Sequence, residues 1–256
     1  MNTRLISTPL TLTAIAALTM GVGPVRHVSG EPAVEPLVPQ LAQAAEKSKR
    51  MKRSIHQVIS LYGKAANQRL RPHFERAGIA FPPQRITLLA MKAERKVELW
   101  ASDETHPFTF IRSYNILKGS GGPGPKLREG DKQIPEGIYR IVALNPNSRY
   151  HLSMKLNYPN EFDLRHARLD GRHNPGSNIF IHGKSYSVGC LAMGDHVIEE
   201  LFVLSEKTGI DNVSVIIAPY DPRKQPLRHQ DPRLPSWTEE LYQQISAEFN
   251  KFQRPG

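Results

Sequence analysis

The stretch Ile181-His182-Gly183-Lys184-Ser185-Tyr186-Ser187-Val188-Gly189-Cys190 sets an imidazole eight positions ahead of a thiol, and Cys190 is the only cysteine in 256 residues. A lone thiol closes no internal disulfide, so its chemistry reduces to metal binding, nucleophilic attack or packing. His182 is suited to act on that thiol as a general base, or as the cationic half of a thiolate–imidazolium couple. An activated pair of this kind predicts rapid alkylation of Cys190 by iodoacetamide below about pH 7, slowed by His182→Ala. Gly189 carries no Cβ, which permits a tight turn and the close approach of a substrate. The pattern reads as the active site of a cysteine enzyme.

Downstream of this stretch, Asp195 is placed to cap a helix with a buried face of Val197, Ile198, Leu201, Phe202 and Leu204, and Gly209 stops it. Residues 212–219, with the β-branched run Val213-Ser214-Val215-Ile216-Ile217, predict a closing strand. Residues 221–235 form a Pro- and Arg-rich loop, and Ser236 can cap a last helix carrying Leu241, Ile245 and Phe249 on one side. Upstream, 86–93 and 96–101 predict a hairpin turning at Glu94-Arg95, followed by strands at 109–114 and 137–144. The glycine-rich loop 119–131 is no phosphate loop, because no Gly-Lys-Ser/Thr follows it. Phe81-Pro82-Pro83 marks a boundary. Before it, residues 41–77 predict two helices that split near Gly63 or Asn67. The cluster Lys47, Lys49, Arg50, Lys52 and Arg53 reads as a solvated face.

Arg4 and the apolar run from Leu10 to Val22 predict a secretory signal peptide over 1–30, shorter than the roughly 20 apolar residues of a membrane span. An uncleaved anchor is the alternative. A linker and helical arm then occupy 31–83, a catalytic domain 84–222, and an extension with a helix 223–256. The net charge of +10 favours anionic partners. Export and the lack of a helix-turn-helix, zinc-finger or RNP-type motif argue against nucleic acid, leaving a wall polymer or membrane surface, the membrane being met only transiently through the leader. Zinc held by His182, Cys190 and His173 is disfavoured because no paired ligand spacing is present. The papain and caspase signatures are absent.

Ile-His-Gly followed by Ser-x-Gly-Cys, ahead of a helix and an apolar strand, resembles the L,D-transpeptidase catalytic domain of the YkuD type. The segment from Gly124 through Pro135-Glu136-Gly137-Ile138-Tyr139, together with Asn145-Pro146-Asn147-Ser148-Arg149-Tyr150-His151 and Asn157-Tyr158-Pro159-Asn160, resembles its YafK-like branch. The resemblance spans about 85–222. It implies a mostly β, α+β fold: a β-sandwich or barrel catalytic domain with an N-terminal helical arm and a C-terminal helix.

It also implies attack on a peptidoglycan stem peptide at the L-centre carbonyl of its diamino acid, in a periplasm or cell envelope. Cys190 would be the nucleophile of a thioester intermediate and His182 its base. The backbone around Gly189 and Cys190 would supply oxyanion donors. Ser187 either orients His182, lines the pocket with Gly183, or bonds its own turn; Tyr150, His151, Arg172 and His173 are candidates to meet substrate, with an ordinary loop role as the alternative. No cofactor or metal is implied. Transfer to an amine makes a transpeptidase. Transfer to water makes a carboxypeptidase, or an enzyme that releases a peptidoglycan-attached lipoprotein. A non-catalytic peptidoglycan-binding scaffold is the rival from another class. Two departures stand out: Val188 replaces the family's second histidine, and Leu191-Ala192-Met193 lacks the arginine that usually follows the cysteine.

Overall fold

The computed structural model describes residues 52–229 and 231–254. The expected leader, the linker after it, and Lys47, Lys49 and Arg50 lie outside these residues. Helix α1 (Ile55–Ala77) opens with a capping box, Ser54 Oγ accepting from Gln57 N–H and Gln57 Oε1 from Ser54 N–H, and closes on Gly78 at φ 67°. It runs unbroken through Gly63 and Asn67, where the sequence suggested a split, and also contains Pro72. The reason is tertiary. Val58, Gly63, Ala66, Leu70 and Phe74 form one buried stripe, and its burial outweighs the ~1 kcal/mol that a glycine costs a helix interior.

Strands β1 (Arg85–Met91), β2 (Lys96–Ser102), β3 (Thr109–Asn115), β4 (Gly137–Asn145), β5 (Ser153–Leu156), β6 (Phe180–His182), β7 (Leu191–Ala192) and β8 (Val213–Ala218) form one eight-stranded sheet in the order β3-β2-β1-β8-β4-β5-β6-β7. Only β1–β8 and β6–β7 are parallel. Helix α2 (Glu161–Leu169) follows β5, α3 (Asp195–Thr208) follows β7, and α4 (Thr238–Phe249) follows β8 and its loop. The expected α+β class is the one observed.

Along β1 the side chains alternate between two cores. Ile86, Leu88 and Ala90 pack with Val58, Leu70 and Phe74 of α1 and with Ile198, Leu201 and Phe202 of α3. Leu89 and Met91 pack with Trp100, Ile216 and the α4 residues Leu241, Ile245 and Phe249. The centre of the sheet is therefore covered on both faces, which is why β1 and β2 bury every residue after their first.

Two expected caps are corrected. Gly194, not Asp195, is the N-cap of α3, and it makes no side-chain cap bond. Asp195 is the first helical residue and accepts instead from the backbone N–H of Lys184, across the chain. Trp237 rather than Ser236 is the N-cap of α4. No helix among the described residues is long and apolar enough to cross a membrane.

Phe249 is fully buried in the second core. Phe249→Ala is expected to cost about 3–5 kcal/mol in urea unfolding. A loss below about 0.5 kcal/mol, as at a surface site, would show that α4 is not an integral part of the domain.

Candidate active site

The chain leaves β6 at His182, makes a turn and re-enters the sheet on β7 one residue after Cys190. The parallel register pairs Ile181 with Leu191 and His182 with Ala192. Continued back by one residue it sets Cys190 opposite Phe180, and the Phe180 backbone N–H faces the sulfur. Side chains alternate along a strand, so His182 and Phe180 share a face; Cys190 lies just outside β7, with its sulfur against the Phe180 and Asn178 backbone.

His182 is 1% exposed. Its Nδ1 lies 2.7 Å from the Gly183 carbonyl oxygen. A carbonyl only accepts, so Nδ1 carries the proton and Nε2 is left with a free lone pair. The Tyr150 ring stacks on the imidazole, with centroids 4.5 Å apart and planes 28° apart. Tyr150 therefore contacts the histidine, whereas the sequence placed it with the substrate-binding residues. Gly183 has a packing reason to be glycine: a Cβ there would stand 2.6 Å from Tyr150 O and 2.7 Å from Asp195 Oδ1.

The Cys190 sulfur contacts the Asn178 carbonyl at 3.9 Å rather than the imidazole. Burial pushes the thiol pKa up, and the Phe180 N–H and the Lys126 charge pull it back only in part. Burial also holds His182 below its ordinary value, against the Gly183 hydrogen bond. Both shifts favour the neutral forms, thiol and imidazole.

Ser187 does not reach His182. Its hydroxyl donates to Cys190 O at 2.7 Å and accepts from Cys190 N–H at 3.2 Å, closing the turn that presents the thiol. Gly189, at φ 78°, donates its N–H to Ser120 Oγ at 2.6 Å, and Ser120 donates to Lys132 O at 2.6 Å. Both expected oxyanion donors are thus held by serine hydroxyls at rest. Val188, at the position of the family's second histidine, is exposed, as is Tyr186.

The remaining candidates are occupied elsewhere or exposed. Nε2 of His151 pairs with Glu199 at 3.0 Å. Arg172 bonds Asp170 and the Leu127 carbonyl, and lies over the Trp237 ring. His173 is exposed. Among the described residues no group of three or more His, Cys, Asp or Glu is placed to hold a metal ion.

Sequence reading missed two contributors. Ser120 reaches the Gly189 amide from the glycine-rich loop. Lys126, almost fully buried and bonded to Asp131 Oδ1 at 2.6 Å and to Arg128 O, lends its charge to Cys190. A lone Ser or Lys in a loop carries no periodic or spacing signal. Four of the five non-glycine residues with left-handed backbone, Lys132, His151, Asn178 and Lys184, also lie in segments around the site. Backbone strain of this kind concentrates where surrounding structure imposes a geometry.

Two outcomes follow. Alkylation of Cys190 by iodoacetamide should show a midpoint above the ordinary ~8.5 of a free thiol; a midpoint below about 7 would restore the thiolate–imidazolium couple. Gly183→Ala should lower stability by about 1–3 kcal/mol through overpacking, measured by thermal melting, and disturb the Tyr150–His182 stack. An unchanged melt would contradict the packing role.

The catalytic-domain model of the YkuD L,D-transpeptidase family matches residues 88–217, about half of the chain. "Putative L,D-transpeptidase YafK" of Escherichia coli, from strains K12 and O157:H7, is 37% identical over 119 residues, 46% of this chain and 46% of each relative. The chain thus spans about half the length of the curated relatives it matches. Among solved structures, the helical cell shape determining protein Pgp2 of Campylobacter jejuni is similar at 15% identity and TM-score 0.43, over 67% of this chain and 71% of that one. Bd1075 of Bdellovibrio bacteriovorus is similar at 20% identity and TM-score 0.39, over 67% of this chain and 57% of that one. With the matched span running from inside β1 to inside β8 and enclosing both His182 and Cys190, the chain belongs to the YkuD family of L,D-transpeptidase catalytic domains.

Proposed function

We propose that this protein is a peptidoglycan L,D-transpeptidase of the bacterial cell envelope, with Cys190 as nucleophile and His182 as general base. The observation that supports the reading is the His182 hydrogen bond: Nδ1–H is tied to Gly183 O, which leaves Nε2 free to accept a proton, on the strand that pairs with the one directly after Cys190. The donor would be the carbonyl at the L-centre of the stem peptide's diamino acid. The Cys190 S–H proton passes to Nε2 as sulfur bonds the carbonyl carbon. The tetrahedral oxyanion collapses, the C–N bond breaks, and the departing amine leaves with the proton from Nε2. An acceptor amine then attacks the thioester, Nε2 takes its proton, and C–S cleavage returns that proton to the thiol.

General-base help of this kind is worth ~10²–10⁴-fold. For the oxyanion to use the Gly189 and Cys190 amides, it would replace Ser120 Oγ and Ser187 Oγ as their acceptor. The acceptor could be another stem peptide or an amine-bearing partner such as a lipoprotein. Water in that role gives the hydrolytic outcome.

The test is incubation with tetrapeptide muropeptides and with lipoprotein-bearing sacculi, read by mass spectrometry beside Cys190→Ala and His182→Ala. Cys190-dependent dimers joined through two diamino acids are expected. Tripeptides or freed lipoprotein without dimers would reassign the protein as a hydrolase, and no Cys190-dependent product would leave a binding scaffold.

The pH dependence has a definite sign. Acid protonates Nε2 and removes the acceptor, and burial lowers the His182 pKa. The acidic limb of kcat/KM should therefore lie below the ordinary ~6.5 of histidine. A limb above that value would argue against His182 as the base.

A further inference from the structure

The residues just ahead of α1 reach the turn that roofs the candidate base. Arg53 and Asn147 are joined by reciprocal bonds, Arg53 N–H to Asn147 Oδ1 at 2.7 Å and Asn147 Nδ2 to Arg53 O at 2.8 Å. The Arg53 guanidinium donates to Pro146 O at 2.7 Å and to His151 O at 3.3 Å. Tyr62, about two turns into α1, meets the His151 ring edge-on at 5.1 Å. From the far side, Arg69 pairs with Glu199 at 3.2 Å, and Glu199 holds His151 Nε2 at 3.0 Å.

The segment from Pro146 to His151 is thus gripped at both ends by Arg53 and α1, although it has no strand or helix of its own. His151 sits at φ 75°, a conformation that its neighbours must impose. Tyr150, between the two grips, lies flat on His182, and its carbonyl accepts from Leu152 N–H.

We propose that Arg53 is a positioning residue for the reaction, clamping the Pro146–His151 turn so that Tyr150 holds the His182 ring with Nε2 toward Cys190. The proposal rests on the reading of His182 as the base. Through Arg53, the segment N-terminal to the domain becomes mechanically linked to the catalytic imidazole.

The groups around His182 are few. Tyr150 covers one ring face, and Ser153 of β5 is opposite it in the register. Cys190 immediately precedes β7, the parallel partner of β6. The Lys184–Asp195 pair flanks Gly183, and His151 with Glu199 and Arg69 lies behind Tyr150. The lowered His182 pKa has burial as its largest cause and no charged group among its causes. Loosening the Tyr150 roof admits water and should raise that pKa.

The experiment compares the full chain with Arg53→Ala, Asn147→Ala and Tyr150→Ala. Imidazole titration is followed by NMR on histidine-labelled protein, with the His182 signal assigned from His182→Gln. Turnover and melting are measured in parallel. For folded Arg53→Ala, kcat is expected to fall about tenfold to a hundredfold with KM nearly unchanged, and the His182 midpoint to rise toward about 6.5. Tyr150→Ala should reproduce both changes, and Arg53→Ala on top of it should add little. If Arg53→Ala does not fold, Asn147→Ala, which removes one side of the clamp, is expected to shift the midpoint in the same direction. A folded clamp variant with wild-type His182 titration and wild-type kcat overturns the proposal. The NMR arm needs no turnover, so it decides the clamp even if Cys190-dependent chemistry is never found.

Discussion

Everything proposed for the site depends on the pairing of two very short strands, β6 with three residues and β7 with two. Strands this short do not persist alone. They are held because β5 pairs with the other side of β6, matching Ser153 to His182 and Met154 to Ile181. On the outer edge of β7, Lys118 forms an antiparallel bridge to Ala192. Across the join, Met193 N–H donates to His182 O at 2.8 Å and Gly194 N–H to Lys184 O at 3.0 Å. Asp195 then anchors the far end of the Lys184 turn through that residue's N–H and ammonium. A one-residue slip between β6 and β7 would turn the β7 side chains to the other face relative to His182 and displace the turn that carries Cys190. The surrounding bonds make that slip costly.

Burial favours the neutral form of both His182 and Cys190. An ion pair here would have to offset the desolvation of two charges, often more than the attraction returns. A neutral thiol and a neutral imidazole with a fixed tautomer avoid that cost. The Lys126 charge favours thiolate, but its pull is smaller than the push from burial. Lys126 is itself neutralised by Asp131, whose second oxygen accepts from the Leu127 and Arg128 amides. Under the proposed chemistry the proton would move during reaction rather than being separated beforehand.

The sheet centre was legible because its strands are apolar on both faces and rich in β-branched residues, as in Val213-Ser214-Val215-Ile216-Ile217. The stripes of α3 and α4 were legible for the corresponding reason at helical spacing. The His182–Cys190 motif was readable because both residues are local to one turn. What escaped was non-local or too short to show a period. β6 and β7 have five residues between them. Helix α2 buries only His166 and Ala167, too little for an apolar stripe. Asp195 has the composition of a cap, yet its partner is eleven residues upstream in a separate turn. Tyr150 was singled out, but that it stacks on His182 follows from the fit of its carbonyl against Gly183, which only the folded chain displays.

The serine hydroxyls on the Gly189 and Cys190 amides bear on how such a site could discriminate a transition state from a substrate. A buried N–H left without a partner costs roughly 1–3 kcal/mol, so a preformed but empty donor pair would weaken the fold. Here Ser120 and Ser187 remove that cost at rest. When a ground-state carbonyl displaces a hydroxyl, one neutral acceptor replaces another, and the exchange is close to even. When the carbonyl oxygen becomes an oxyanion, the bond becomes charge-assisted and roughly twice as strong. Under the proposed chemistry the exchange would favour the tetrahedral state over bound substrate, and only such differential binding raises kcat. The same hydroxyls that complete the resting hydrogen bonding would then sharpen that discrimination, provided the turn carrying them keeps its shape.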